Sequence, residues 1–195
     1  MSKTKEFTNT LPKGSPVTIG IDQSLTGFAV SAVSTIEPDK HITWVFKSDY
    51  RGVQRLKDIQ HWLIGTFTNL QNNGHKIVDL AMEGTVLASQ SALVLGELAA
   101  VVKLTCWEHF LLETPQMTPL QIPPMTLKKY AAGKGNAKKQ EMLLQIYKRF
   151  GLEFNDDNAA DAYALARLAG GHVLNDVDKQ IVEQIKDPKY RDTIF

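Results

Sequence analysis

The sequence predicts an α/β domain whose mixed five-stranded sheet, an antiparallel meander continued by parallel strands, carries helices on both faces. Three observations predict it. Short β-rich segments on tight links open the chain, the apolar period then changes from two to three and four, and strand and helix patterns alternate from there on. At 195 residues and 43% apolar content, the chain has single-domain size and can bury a core without metal or disulfide staples.

Residues 1–16 (MSKTKEFTNTLPKGSP) are polar, carry three Lys and two Pro, and read as a disordered leader without the apolar core of a signal peptide. Val17 to Asp22, Thr26 to Val33 and Ile42 to Phe46 are the three meander strands. Val53, Leu56, Ile59, Leu63, Phe67 and Leu70 recur at helical spacing, and Asn72-Asn73-Gly74 ends that helix. Lys76 to Met82 is the fourth strand, stopping at Glu83-Gly84, and an apolar helix follows from about Ser89 to Leu112. Glu97, Lys103, Glu108 and His109 interrupt that helix, so it reads as a buried helix, not a membrane span. Among the prolines that follow, Leu120 to Ile122 is at most a short edge strand. Two helices are then expected, Ala137 to Phe150 and Asp156 to Leu168, closed by Gly170-Gly171, with a partly helical tail over residues 172–195.

Charge and chemistry concentrate at a few places. The net charge is +1, yet Lys128, Lys129, Lys134, Lys138, Lys139, Lys148 and Arg149 face only Glu141 between residues 128 and 150, a local net charge of +6. The small-residue loop Ala131 to Asn136 leads into a helix there, which suits backbone N–H groups to phosphate. A solvated helix face is the plainer reading of such a run. Asp22 and Glu83 each close a strand, where α/β sheets gather functional side chains. Asp157, Asn158 and Asp161 share a helix face by spacing and could complete an oxygen-rich pocket for Mg²⁺ or Mn²⁺. Each has a structural alternative: Asp22 as a turn starter, Glu83 as an exposed strand end, and Asn155 to Asp157 as helix caps. Asp161, inside an apolar helix, is the hardest to read as structural. Cys106 is the single cysteine and the five histidines lack metal or triad spacing, so disulfide, zinc and Ser/His/Asp chemistry have no support. The cysteine count points to a reducing, cytoplasmic compartment. GKGNAKK lacks the Walker A spacing.

With these residues in place, the chain resembles the RuvC-type Holliday junction resolvases of the ribonuclease H-like superfamily, from about Val17 to Gly171. Four segments match in order: GIDQSLTGFAV at 20–30, AMEG at 81–84, PPMTLKKYAAGKGNAKKQEM at 123–142 and NAADAYALA at 158–166. The last two together are specific. The resemblance implies a ribonuclease H-like nuclease domain over 17–171, nearer the phage-type branch, working in the bacterial or host cytoplasm. It implies a homodimer acting on four-way or branched DNA through two Mg²⁺ ions per active site, with Mn²⁺ able to substitute. Asp22, Glu83 and Asp161 match the metal ligands. The position three residues before Asp161, usually Asp or His in the family, is Asn158 here, with Asp157 as the alternative fourth ligand. Lys128, Lys129, Lys134, Asn136, Lys138 and Lys139 are the expected DNA contacts, and Val86 stands where members can place an aromatic wedge. Three rivals remain at this level: a ribonuclease H-like nuclease of RNA–DNA hybrids or other branched DNA, a junction binder without catalysis, and an actin-like ATPase. The last needs two such domains, and the chain has room for one.

Overall fold

Residues 17–47 contain three successive β-rich runs, and in the computed structural model, which describes residues 1–84, 92–110 and 118–193, they are β2 (Val17–Asp22), β3 (Phe28–Ser34) and β4 (His41–Lys47). They form the expected antiparallel meander, with Asp22 opposite Ala29 and Phe28 opposite Phe46. Among the described residues the sheet has six strands, not five. The additional strand is β1 (Lys3–Asn9), inside the segment expected to be a disordered leader, and it pairs antiparallel with β4 from Lys3↔Lys47 to Asn9↔His41. Its Thr and Phe residues and its mostly exposed side chains suit an edge strand, and Phe7 packs on the core. Composition read this segment as disordered because the pairing partner lies more than thirty residues away.

α1 (Gly52–Asn72) buries Ile59, Leu63, Phe67 and Leu70 of the stripe its periodicity marks, while Val53 at its start is exposed, and Gly74 at φ 82 turns the chain into β5. β5 (Ile77–Glu83) joins β2 in parallel, bringing Ile21 beside Met82. α2 (Ala92–Phe110) and β6 (Leu120–Ile122) follow, β6 pairing parallel to β5. The sheet order is β1-β4-β3-β2-β5-β6. The expected helix limits Ser89 and Leu112, and Val86, lie outside the described residues.

One helix was not foreseen. α3 (Pro124–Ala132) begins on the prolines that read as helix breakers, with Pro at its first position, where the missing N–H is no loss. Left-handed Gly133 caps it, and the loop runs on to α4 (Lys139–Phe150). α5 (Asp157–Ala169) is capped by Asp156, whose carboxylate accepts from the N–H groups of Asn158 and Ala159. The tail forms α6 (Asp176–Lys186) and α7 (Pro188–Thr193).

The sheet separates two cores. α1 and α2 cover one face over Ile19, Ile21, Val30 and Leu80. α3 to α6 cover the other, over Ala29, Val45 and Ala81. α6 is held there by Ile181 and Ile185 and by Arg149, whose Nη2 donates to both oxygens of buried Asp178 at 2.8 and 2.7 Å. Arg149, counted in the basic run, is therefore an anchor for the tail. No described helix is long and apolar enough to cross a membrane.

Candidate active site

The parallel pairing of β2 and β5 sets Asp22 and Glu83 side by side at the C-terminal ends of neighbouring strands. Their ladder positions place both on the face that α5 covers, since Ala29 opposite Asp22 and Ala81 two residues before Glu83 belong to that core. α5 comes unusually close there. A Cβ at Gly20 would stand 2.0 Å from the Ala162 carbonyl oxygen and 2.3 Å from the Ala166 nitrogen, so only glycine lets the helix backbone settle on β2. Gly27 does the same for a side chain: its Cβ would stand 2.5 Å from Asn158 Nδ2. These contacts carry Asp157, Asn158 and Asp161 to the strand ends, and all three line a cleft of about 470 Å³ with Asp22, Glu83, Lys128 and Lys139.

The carboxylates are under electrostatic strain. Burial lifts the Asp22 carboxyl well above the ordinary range, and the charges of Asp161, Glu83 and Asp157 push the same way, with Lys139 opposing. Burial, then Glu83 and Asp157, raise Asp161 to about 7. Glu83 is also raised by burial, against the pull of Lys128 and Lys139. Lys139 forms an ion pair with Asp157, and that hydrogen bond leads the causes that raise its own pKa.

Among the described residues no three acidic, His or Cys side chains converge as a ready metal shell. The donors nonetheless fit a hard divalent cation. They are all oxygen, Asp161 Oδ1 is buried with no hydrogen-bond partner among the described residues, and a cation between the carboxylates would offset the burial that raises all three pKa values and the repulsion that adds to it at Asp22 and Asp161.

The expected DNA contacts divide into two groups. Lys128 and Lys139 line the cleft itself. Lys129, Asn136 and Lys138 are exposed outside it on α3 and the following loop, and Lys134 pairs with Glu141 at 2.6 Å. The basic run is thus partly neutralised internally, through Lys134, Lys139 and Arg149. Gln23 was missed by sequence reasoning. It is buried, lines the cleft and donates from Nε2 to the Glu83 carbonyl at 2.7 Å, tying the two strand ends together. Its signal was available: a long polar side chain directly after a strand-end carboxylate.

A mixed sheet of this order, helices on both faces and carboxylates on two adjacent strand ends and an overlying helix define a ribonuclease H-like fold. Within that class the chain has a RuvC-type fold. It is similar to Thermus thermophilus RuvC solved in complex with a Holliday junction substrate, with a TM-score of 0.59 and 21% identity over 77% of this chain and 90% of that one. A second Thermus thermophilus RuvC structure gives a TM-score of 0.58 and 19% identity over 87% of this chain and 96% of that one. No family model and no curated protein matches the chain by sequence.

Proposed function

We propose that this chain is a structure-selective endodeoxyribonuclease that resolves four-way DNA junctions by paired, symmetric phosphodiester hydrolysis. The observation that carries the reading is the carboxylate cluster of Asp22 and Glu83 at adjacent strand ends and Asp161 on the overlying α5, all three held with raised pKa values. The shared fold with a RuvC solved on a Holliday junction supports the choice of substrate.

Asp22, Glu83, Asp161 and Asn158 would hold two Mg²⁺ ions, or Mn²⁺ in their place. When bound, these supply an activated water nucleophile and charge stabilisation at the leaving 3′-oxygen, giving a 5′-phosphate and a 3′-hydroxyl. Asp22, central in the charge group, faces both neighbouring carboxylates. Asp157 is committed to Lys139, which favours Asn158, on the Asp161 face, as the fourth ligand. Asp157 in turn holds the Lys139 ammonium in the cleft, where it and Lys128 offset the acidic charge and receive the substrate phosphate. Lys129, Lys138 and Asn136 extend this contact along the DNA backbone, which positions a duplex arm without reading bases.

A junction has two-fold symmetry, and a C₂ homodimer would present one cleft to each of two strands. Exposed Leu93, Leu104 and Trp107 on one side of α2 support such a pairing. Neutral Asn158 in an otherwise acidic donor set favours one second reading, a junction-binding protein without catalysis.

A four-way junction incubated with the full chain in Mg²⁺, Mn²⁺ or EDTA tests both. Symmetric nicks with either metal and none in EDTA are expected, and Asp22→Asn should bind the junction without cutting it. A junction shifted but uncut by the wild type supports the binder. Cleavage retained by Asp22→Asn removes Asp22 from the site.

A further inference from the structure

The transverse row that contains Asp22 continues to the far edge of the sheet. Asp22 stands opposite Ala29, Ala29 opposite Val45, and Val45 opposite Lys5. Directly opposed residues project from the same face, so Lys5 shares the α5 face with Asp22. Lys3 and Lys47 oppose each other two residues nearer the cleft rim, on that same face. Lys5 Nζ donates to Asn155 Oδ1 at 2.6 Å, immediately before the Asp156 cap of α5. Lys3, Lys5 and Lys47 are all exposed, and none has an ion-pair partner among the described residues. Asp49, the acid beside Lys3, is paired with the terminal amino group.

Lysines on an edge strand deter sheet-to-sheet aggregation, which would account for Lys3 and Lys5. It does not account for Lys47, because β4 has a partner on each side. Like charges directly opposed across a ladder are destabilising, and a polyanion lying over the pair reverses the sign of that contribution.

We infer that Lys3, Lys5 and Lys47 form a second phosphate-backbone contact, on the flank of the cleft opposite α3 and α4. It rests on the nuclease reading and adds a site to it. Three strand spacings of about 4.8 Å put Lys5 about 14 Å from Asp22. At a rise of about 3.4 Å per nucleotide, that is about four nucleotides along one strand. DNA crossing the cleft would then be held on both sides of the scissile phosphate, by β1 and β4 on one side and by α3 and α4 on the other.

The test is junction affinity against salt concentration for the full chain. Lys3→Ala/Lys47→Ala should make the slope of log K against log salt shallower by about 1.8, or about 0.9 for each lost contact. Lys3→Arg/Lys47→Arg should restore it. Lys76→Ala, at the opposite end of the sheet, should leave it unchanged. Thermal melting checks the fold, which loses only a repulsive pair in the Ala variant. A wild-type slope in the Ala variant, alongside a shallower one in Lys129→Ala/Lys138→Ala, overturns the second contact and leaves the nuclease reading standing. A wild-type chain that neither binds nor cuts the junction overturns both.

Discussion

Replacing Asp161 by Asn removes a charge that the metal-free fold holds at a cost. Burial, and then the charges of Glu83 and Asp157, push its carboxyl up from 3.8 to about 7. At about 1.4 kcal/mol per pH unit, the cost of ionising it in the folded state reaches about 4 kcal/mol. The folded-state pKa lies above the unfolded one, so the folded protein binds the extra proton between these values. This group's contribution to stability is therefore fully present below about pH 4 and is lost as the pH rises through about 7. Asn keeps the shape and adds an N–H₂ donor toward the neighbouring carboxylates. In calorimetry with EDTA at pH 8, Asp161→Asn should therefore melt higher than the wild type. A gain of about 4 kcal/mol corresponds to about 8–16 °C for a chain of this size, which is an upper bound. At pH 5 the difference should shrink, and Mg²⁺ at pH 8 should raise the wild type more than the variant. Stability would thus increase while nicking is lost, the trade expected of a strained site. An Asp161→Asn protein that melts at or below the wild type at pH 8 in EDTA would refute the electrostatic strain on which the site assignment depends.

Gly20→Ala should destabilise the fold by about 3 kcal/mol or more, because the added methyl meets α5 backbone that cannot rotate away; urea denaturation measures it, and an unchanged midpoint would mean that α5 can lift from β2. Asn158→Ala should raise the Mg²⁺ concentration needed for half-maximal nicking. Asp157→Ala should instead act through Lys139, weakening junction binding with little change in the Mg²⁺ requirement. The reverse pattern would make Asp157 the fourth ligand.

The acidic residues of the candidate site were partly legible in the chain because each sits at a local boundary. Asp22 and Glu83 end β-rich runs and Asp161 interrupts an apolar helix, so period and position flagged them, while their reading as metal ligands came from the resemblance to the RuvC-type resolvases. The meander and α1 were legible for the same reason: their stripes repeat within a few residues. What failed had distant causes. β1 becomes a strand only because β4 offers an edge, and the Pro-rich start of α3 becomes a helix because Leu127, Tyr130 and Ala131 find a core to enter. Likewise, a run of seven basic residues gave no sign that Arg149 would turn inward to Asp178 or Lys139 toward Asp157.

By itself, then, the sequence determined the alternation of elements, the acidic residues at their ends and the net basic stretch, all properties of local order and composition. Only the tertiary structure decided that β2 and β5 are parallel neighbours, that glycines 20 and 27 let α5 reach them, and that Lys3, Lys5 and Lys47 share a face with Asp22. Those outcomes depend on close approach between segments far apart in the chain, where a missing Cβ or a one-residue register step determines which charges meet.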